Sequence, residues 1–380
     1  MIPYSTQDIN EADIRAVGQA LRSGWLTQGP SIIRFEKALA KRVGARFAVA
    51  FNSGTAALHA AYFAAGVKKG DEVIVPSLTF AATANAALYL GAKPVFADSD
   101  LAHGNMSIAN ARARITKKTK VIVPVDYGGR PADLREFRAL AKKHKLVFIE
   151  DAAQALGATY RGKPVGAHAD MTMFSFHPVK SITTGEGGVI VTNDQKYDKA
   201  LRLFRSHGIS KDTNTFVRKG HGVWYQEMQE LGFNYRMPEM SAALGESQLK
   251  RLNSFITKRR AAAKRYRRLL AKVPNLILPP VERPHEKSAW HLYPVRLAPE
   301  IADKRDTVFA QMREAGIGVQ VHHVPVHRHP FYEALGCKKG LCPNTEAFVA
   351  SEISIPLFPN ITRKQQQFIA DTLKRILARI

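Results

Sequence analysis

The chain has 380 residues, a net charge of +24, 45% hydrophobic and 23% charged residues, which is typical of a globular protein with room for two domains. It contains no apolar run of the roughly 18 residues that a membrane-spanning helix needs, and residues 1–8 lack a basic segment followed by an apolar one, so we expect no membrane association and a cytoplasmic location. Two cysteines, Cys337 and Cys342, are too few for a disulfide scaffold or a four-cysteine zinc site.

Two helices are predicted at the start of the chain. Asp8 and Glu11 have the spacing of a capping box, so the first helix is predicted to open at Asp8 and to stop at Gly24. The second helix is predicted over 31–43, with Gly44 as its stop.

Short apolar strands then alternate with helices. The predicted strands are 47–51, 72–76, 94–97, 120–125, 146–149, 171–174 and 188–192, and the helices between them are 55–65, 80–90, 107–115 and 131–144. Continuous apolar strands separated by helices are typical of a parallel sheet that is covered on both faces.

The remainder of the chain predicts a second, smaller domain. A long helix over 239–272 is followed by a strand at 291–296, a helix at 303–315, a strand at 318–322 and a terminal helix at 364–377. We therefore predict an α/β fold with a large domain, 1–245, and a smaller C-terminal α+β domain, 246–380.

Lys180 and Asp151 together indicate a cofactor. Asp151 follows an apolar strand, and Lys180 lies in a loop before the glycine-containing run 185–188. A lysine that forms a Schiff base and an acid that holds a pyridinium nitrogen describe a pyridoxal phosphate (PLP) site. The alternatives are a solvated loop lysine and a helix N-cap at Asp151.

Several residues could complete such a site. Asn52–Thr55 joins a strand to a helix, where glycine and helix amides attract phosphate, although such a segment is more often only a turn. Ser175 could bond the phosphate, Gln154 the phenolic oxygen, and Phe80, predicted to begin a helix, could stack on the ring rather than pack in the core.

Two further clusters leave alternatives open. His322, His323, His327 and His329 could bind a metal, but interrupting prolines and the lack of a paired carboxylate favour a substrate-facing loop. Residues 250–272 carry ten basic and no acidic side chains, a candidate nucleic-acid surface. An accompanying apolar stripe favours a solvated helix face instead.

Taken together, these motifs resemble the DegT/DnrJ/EryC/StrS nucleotide-sugar aminotransferases, which are fold-type I PLP enzymes. The resemblance extends over nearly the whole chain and rests on five segments and a sixth near the end: 24–30, 52–58, 150–154, 175–188, 232–237 and 316–322. A finer resemblance, at 177–180, 224–232 and 319–327, is to the transaminases of the pseudaminic acid route.

The resemblance implies a role for each matching residue. Lys180 would form the Schiff base with PLP and Asp151 would pair with its ring nitrogen. The other expected cofactor contacts are Gln154, Gly54, Thr55, Ser175 and Phe80. Asn234 is expected to reach the phosphate of the neighbouring subunit, in a homodimer with shared active sites. Thr27, His322 and His323 are expected near the sugar nucleotide, and no metal is expected.

The activity implied is transfer of an amino group from L-glutamate to the 4-keto group of a UDP-linked 4-keto-6-deoxy-N-acetylhexosamine. One alternative is an aminotransferase acting on another nucleotide 4-keto or 3-keto sugar, and another is a PLP-dependent dehydratase or aldolase. A nucleic-acid-binding regulator that uses the basic segment 250–272 is the alternative outside enzymology; we expect no nucleic-acid partner, because no recognition motif accompanies the segment.

Overall fold

The computed structural model describes all 380 residues. It contains twelve α-helices. In chain order they are α1 Glu11–Arg22, α2 Pro30–Val43, α3 Gly54–Ala64, α4 Ala82–Leu88, α5 Ile108–Ala113, α6 Leu134–His144, α7 Gln195–Arg205, α8 Glu239–Leu270, α9 Arg305–Glu314, α10 Pro330–Ala334, α11 Pro343–Ser351 and α12 Arg363–Leu377.

Fifteen strands, several of them only two residues long, form four sheets. In chain order they are β1 Phe47–Phe51, β2 Glu72–Pro76, β3 Lys93–Ala97, β4 Thr119–Ile122, β5 Val147–Asp151, β6 Thr159–Tyr160, β7 Lys163–Pro164, β8 Met171–Ser175, β9 Gly188–Thr192, β10 Ile209–Ser210, β11 Glu227–Met228, β12 Leu276–Ile277, β13 Glu286–Lys287, β14 Tyr293–Leu297 and β15 Glu352–Ile355.

The central sheet has seven strands in the order β1-β9-β8-β5-β4-β2-β3. Only β9 runs against its neighbours, pairing antiparallel with both β1 and β8. The strands of the central sheet are buried over nearly their whole length, because helices cover both faces of the sheet. The predicted α/β fold with a mostly parallel sheet is confirmed.

The sheet brings the ends of several strands to one edge. Asp151 ends β5 and Ser175 ends β8, and these two strands are parallel neighbours. Gly188, the first residue of β9, pairs with both Phe51 and Ser175, so the end of β1 lies at the same edge. Ligands of open α/β sheets bind at this carboxyl edge.

Both ends of the chain pack beside the second sheet. Strands β12, β14 and β15 form it, and α8, α9 and α12 contribute to the apolar core beside it. Ile2 forms a bridge with Ile317, and Leu357 N donates to Tyr4 O at 3.0 Å. The first residues of the chain therefore pack with its C-terminal part, and the predicted boundary at 245/246 lies inside α8; the division into two domains stays a prediction.

Three predictions of local structure are wrong. Helix α1 is capped by Asn10, whose side chain accepts hydrogen bonds from Ala12 N and Asp13 N, so it begins after Asn10 and not at Asp8. Phe80 lies before α4, which begins at Ala82. Residues 318–322 form no strand, because only Gln320 in this segment pairs, through an isolated bridge to Ser354.

The basic run of α8 is not the uniformly solvated face that was predicted. Arg259 is fully buried and donates to backbone carbonyls, among them Leu357 O at 2.9 Å. The apolar stripe predicted on this helix is present, since Leu252, Ile256 and Tyr266 are buried. None of the helices combines the length and the apolar character required to cross a membrane.

Candidate active site

Lys180 lies in the loop that connects β8 and β9, at the carboxyl edge of the central sheet. A turn precedes it, in which Lys180 N donates to His177 O at 2.9 Å. Burial lowers the pKa of the Lys180 amine to about 8, and the charge of Asp151 opposes this shift. The unprotonated amine is therefore far more populated near neutral pH than in an exposed lysine, which favours action as a nucleophile or base.

Asp151 is buried at the end of β5 and is held by two donors. Thr83 Oγ1 donates to its Oδ2 at 2.7 Å, and Ala153 N donates to its Oδ1 at 3.1 Å. Burial raises the pKa of Asp151, whereas these hydrogen bonds and Lys180 lower it. No helix begins at Asp151, so the N-cap alternative is wrong.

Gly54, Thr55 and Ser175 are brought together at the start of α3. Ser53 caps this helix by accepting from Ala56 N at 3.1 Å. A Cβ on Gly54 would lie 3.3 Å from Ser175 Oγ, and a Cβ on Gly188 would lie 2.5 Å from Ser53 O. Glycines therefore allow β8, β9 and the α3 N-terminus to approach closely, leaving backbone amides and a hydroxyl that suit a phosphate.

Gln154 and Phe80 both follow the ends of strands of the central sheet, β5 and β2, but differ in their surroundings. Gln154 is buried, and its Oε1 accepts from Gly128 N at 2.6 Å. Phe80 is 64% exposed, and its ring centroid is 6.0 Å from that of His323. The exposed face of Phe80 is consistent with the stacking partner that the sequence predicted.

Asn234 and Thr27 are exposed, and both are close in sequence or by a bridge to the segment that pairs with Phe51 and Asn52, directly before Gly54. The 234–238 segment forms bridges from Arg236 to Phe51 and from Pro238 to Thr27. Asn52 N also donates to Tyr235 O at 2.9 Å. The surface position of Asn234 is compatible with contact to a second subunit, and that contact stays a prediction.

The histidines near the C-terminus do not converge on one point. His322 Nδ1 is 2.9 Å from Ser354 Oγ, while His327 lies between Ser77 Oγ, at 2.5 Å, and Glu346 Oε1, at 2.8 Å. Burial lowers the pKa of His322 to about 3 and that of His323 to about 4, and Lys180 contributes in both cases. No group of three His, Cys, Asp or Glu side chains is placed to hold a metal ion.

Three residues near Lys180 and Asp151 were not predicted as part of the site: Thr79, Thr83 and Arg259. Thr83 orients Asp151 and itself lies 2.8 Å from Thr79 Oγ1, four residues earlier. Arg259 donates to His291 O at 3.3 Å and Val179 O at 3.4 Å, directly before Lys180. No sequence signal links the threonines to Asp151, because Thr83 lies 68 positions before it, and Arg259 is one of ten basic residues in 250–272.

Together, the fold and this edge of the sheet define a PLP-dependent aminotransferase. The model of the DegT/DnrJ/EryC1/StrS aminotransferase family matches residues 7–374, and the chain belongs to this family. Enzymes of the family use PLP.

Individual relatives match over the full length. The chain is 40% identical to the UDP-4-amino-4,6-dideoxy-N-acetyl-beta-L-altrosamine transaminase of Campylobacter jejuni, over 100% of this chain and 98% of that protein. Among solved structures, Helicobacter pylori PseC, an aminotransferase involved in the biosynthesis of pseudoaminic acid, has a TM-score of 0.92 at 33% identity and full coverage of both chains. The PLP form of the putative sugar aminotransferase Spr1654 of Streptococcus pneumoniae has a TM-score of 0.93 at 30% identity, covering 100% of this chain and 99% of that one.

The residues at the sheet edge fit this cofactor. Lys180 offers an amine with a lowered pKa, and Asp151 offers a buried carboxylate suited to a cationic ring nitrogen. The glycine-lined approach of Gly54 to Ser175 leaves room for a phosphate that any larger side chain at residue 54 would restrict.

Proposed function

We propose that the protein transfers the amino group of L-glutamate to the 4-keto group of a UDP-linked 4-keto-6-deoxy-N-acetylhexosamine. The observation that carries the proposal is the joint presence of Lys180 and Asp151 at the sheet edge of a chain that matches a UDP-sugar transaminase over its full length. Pseudaminic acid biosynthesis is the pathway that this substrate indicates.

Within this proposal, Lys180 attaches the cofactor and moves protons. Its Nζ, with a pKa of about 8, can accept a proton and return it near neutral pH. Asp151 keeps the ring nitrogen protonated by pairing with it, and Thr83 fixes the orientation of the carboxylate. PLP, when bound, supplies the electron sink that stabilises a developing carbanion.

The remaining predicted residues bind and orient. Gly54, Thr55 and Ser175 hold the phosphate, Gln154 contacts the phenolic oxygen, and Phe80 stacks on the ring. Thr27, His322 and His323 contact the sugar nucleotide. His322 and His323 are neutral near neutral pH, because burial holds their pKa values at about 3 and 4, so they act on the sugar through hydrogen bonds and not through charge.

We further propose a homodimer in which Asn234 completes the phosphate site of the partner. Co-expression of Lys180→Ala and Asn234→Ala subunits tests this directly, because a hybrid dimer regains one intact site. With random assembly we expect about a quarter of wild-type activity, since half of the dimers are hybrids with one of two sites intact. Two inactive variants that stay inactive when mixed would refute a shared site.

The absorption band of bound PLP tests the activity itself. L-Glutamate should remove the band and release 2-oxoglutarate, and the UDP-linked keto sugar should then restore it, as expected for two half-reactions at one site. Lys180→Ala should lose both responses, whereas Lys258→Ala, which changes an exposed lysine of α8, should keep them.

Other outcomes separate the alternatives. Loss of the band without recovery would retain the aminotransferase and reject this sugar, in favour of another nucleotide 4-keto or 3-keto sugar. Consumption of a sugar without release of 2-oxoglutarate would indicate a dehydratase or an aldolase. Salt-sensitive binding to DNA or RNA by a protein that binds no PLP would support the regulator alternative.

A further inference from the structure

A buried chain of hydrogen bonds connects Glu352 to His322. Glu352 begins β15 and is fully buried, and Ser354 follows it on the same face of the strand. Ser354 Oγ is 2.5 Å from Glu352 Oε1 and 2.9 Å from His322 Nδ1. The other carboxylate oxygen, Oε2, accepts from His322 N at 3.0 Å.

The number of protons on Glu352, Ser354 and His322 determines which group donates in each of these hydrogen bonds. Oε2 of Glu352 must be an acceptor, because it faces a backbone N–H, so a proton on the carboxyl group resides on Oε1. The Ser354 hydroxyl has one proton and can donate it to only one neighbour. If Glu352 is ionised, Ser354 donates to Oε1 and accepts from Nδ1–H of His322; if Glu352 is protonated, it donates to Ser354, which donates to Nδ1.

The His322 ring lies beside residues assigned to the active site. Its centroid is 4.9 Å from that of His323, which in turn lies 6.0 Å from the Phe80 ring. His322 Nδ1 is occupied by Ser354, and Tyr127 fixes the backbone by donating to His322 O at 2.7 Å. Nε2 is therefore the atom that is left for a ligand.

We propose that Glu352 and Ser354 are positioning residues that select the tautomer of His322, so that Nε2 accepts a hydrogen bond when Glu352 is ionised and donates one when it is protonated. This tautomer control rests on the geometry alone. The effect of the tautomer on sugar binding rests on the proposed function, because only the proposed function assigns His322 to the sugar nucleotide.

Burial and the charges around Glu352 determine the pH at which its carboxyl group loses its proton and the tautomer of His322 changes. Burial raises the pKa of Glu352 to about 8, and the Arg305 guanidinium opposes that shift. Arg296 is its cross-strand partner on β14, and the pKa of Tyr127 is raised by burial and by Glu352. His322 remains neutral here, because burial lowers its pKa to about 3, with His323 and Lys180 adding to the effect.

Nuclear magnetic resonance of protein labelled with ¹⁵N-histidine tests the tautomer. The two ring nitrogens have distinct shifts when protonated or bare, and His322→Gln identifies the His322 signals among the 13 histidines. In the wild-type PLP-bound protein we expect the proton on Nε2 below a midpoint near pH 8 and on Nδ1 above it.

Two variants test separately the roles of the Glu352 carboxyl group and the Ser354 hydroxyl in setting the tautomer of His322. Glu352→Gln keeps an acceptor for His322 N, but its amide always donates to Ser354, so His322 should hold the Nε2–H tautomer at every pH. Ser354→Ala should abolish the pH-dependent change. A wild-type His322 that keeps one tautomer on both sides of pH 8, or a Glu352→Gln variant that still switches, would overturn the proposal; the first result needs no variant to fold.

The half-reactions provide the functional readout. With the keto sugar, the change of kcat/KM near pH 8 should be larger in the wild-type protein than in Glu352→Gln, because Lys180 titrates in the same range in both and only the step due to Glu352 is lost. The same variant should leave the glutamate half-reaction unchanged. A tautomer switch without the step would remove His322 from sugar binding and leave tautomer control intact. A protein that accepts no keto sugar would refute the proposed function, and the tautomer measurement would still decide this inference.

Discussion

From the lowered pKa of Lys180 we predict how much of its amine is unprotonated in the protein without PLP. The pKa falls from 10.5 to about 8 because the amine is buried. At pH 7 about 9% of the amine is then unprotonated, compared with about 0.03% at the unperturbed pKa, so about 300 times more of the nucleophilic form is present.

Asp151→Asn is the informative perturbation. The charge of Asp151 raises the pKa of Lys180 and works against desolvation. Replacing the carboxylate with an amide of the same shape removes that charge, so the pKa of Lys180 should fall below the wild-type value of about 8. The variant should become more reactive at this lysine at pH 7, which is the opposite of what general damage to the site would cause.

Competitive labelling with acetic anhydride across a pH series, read by mass spectrometry, measures this shift. The peptide that contains Lys180 gives the inflection, exposed Lys258 is the internal reference, and Asp371→Asn is the matched control at an exposed carboxylate. An inflection near 10.5 in the wild-type protein, or an upward shift in Asp151→Asn, would refute the geometry assigned to this pair.

Three other variants test the surroundings of the site. Thr83→Val should lower the free energy of unfolding by about 1–3 kcal/mol and weaken PLP binding, because Asp151 Oδ2 loses a buried donor. Gly188→Ala should destabilise the protein by about 1–3 kcal/mol, because its Cβ would lie 2.5 Å from Ser53 O. Glu352→Gln should flatten the pH dependence of stability between pH 4.5 and about 8, where the folded protein keeps a proton that the unfolded chain releases. The contribution of Glu352 to wild-type stability should fall by about 5 kcal/mol across this window as the pH rises, and Glu352→Gln should remove this contribution. Urea unfolding measures all three effects.

Matched variants identify the outcomes that contradict these predictions. Thr83→Ser restores a hydroxyl and should recover most of the lost stability, so equal damage by serine and valine would remove the hydrogen bond from the explanation. Gly18 lies inside α1, where a Cβ would make only an ordinary contact, 3.9 Å from Arg22 Nη1, so Gly18→Ala should stabilise slightly, unlike Gly188→Ala. A Glu352→Gln protein with the wild-type pH dependence would mean that another group binds the proton.

The sequence predicts the central sheet well because its strands are continuously apolar. β1, β2 and β9 have the predicted bounds, since each is a short apolar segment between polar or glycine-containing turns. Gln195–Arg205 and Pro343–Ser351 form helices for which no prediction was made. The first has a clear amphipathic pattern, with Leu201 and Phe204 buried, whereas the second is short and mixes buried and exposed apolar residues, so periodicity identifies only the first.

The residues of the candidate site could be predicted where the residue type itself indicates the chemistry. They could not be predicted where the role depends on contacts made only in the folded protein. Lys180 and Asp151 were identifiable because few reactions need both. Thr83 and Glu352 were not, because the first meets Asp151 across 68 positions and the second meets His322 across 30. Threonine and glutamate occur on most protein surfaces, and only tertiary structure distinguishes these buried ones from solvated ones.

The charge of α8 illustrates the same limit, because counting cations overstated how many are free. Five of its six arginines donate to other parts of the protein; they are Arg251, Arg259, Arg260, Arg265 and Arg267. Guanidinium groups suit this use, since they present several donors in a fixed plane and stay charged even where burial lowers the pKa of Arg259 to about 10. The exposed cations of the run are the lysines and Arg268. Five of the ten basic residues therefore bind other parts of the protein instead of facing solvent, and one of them, Arg259, holds the loop directly before Lys180.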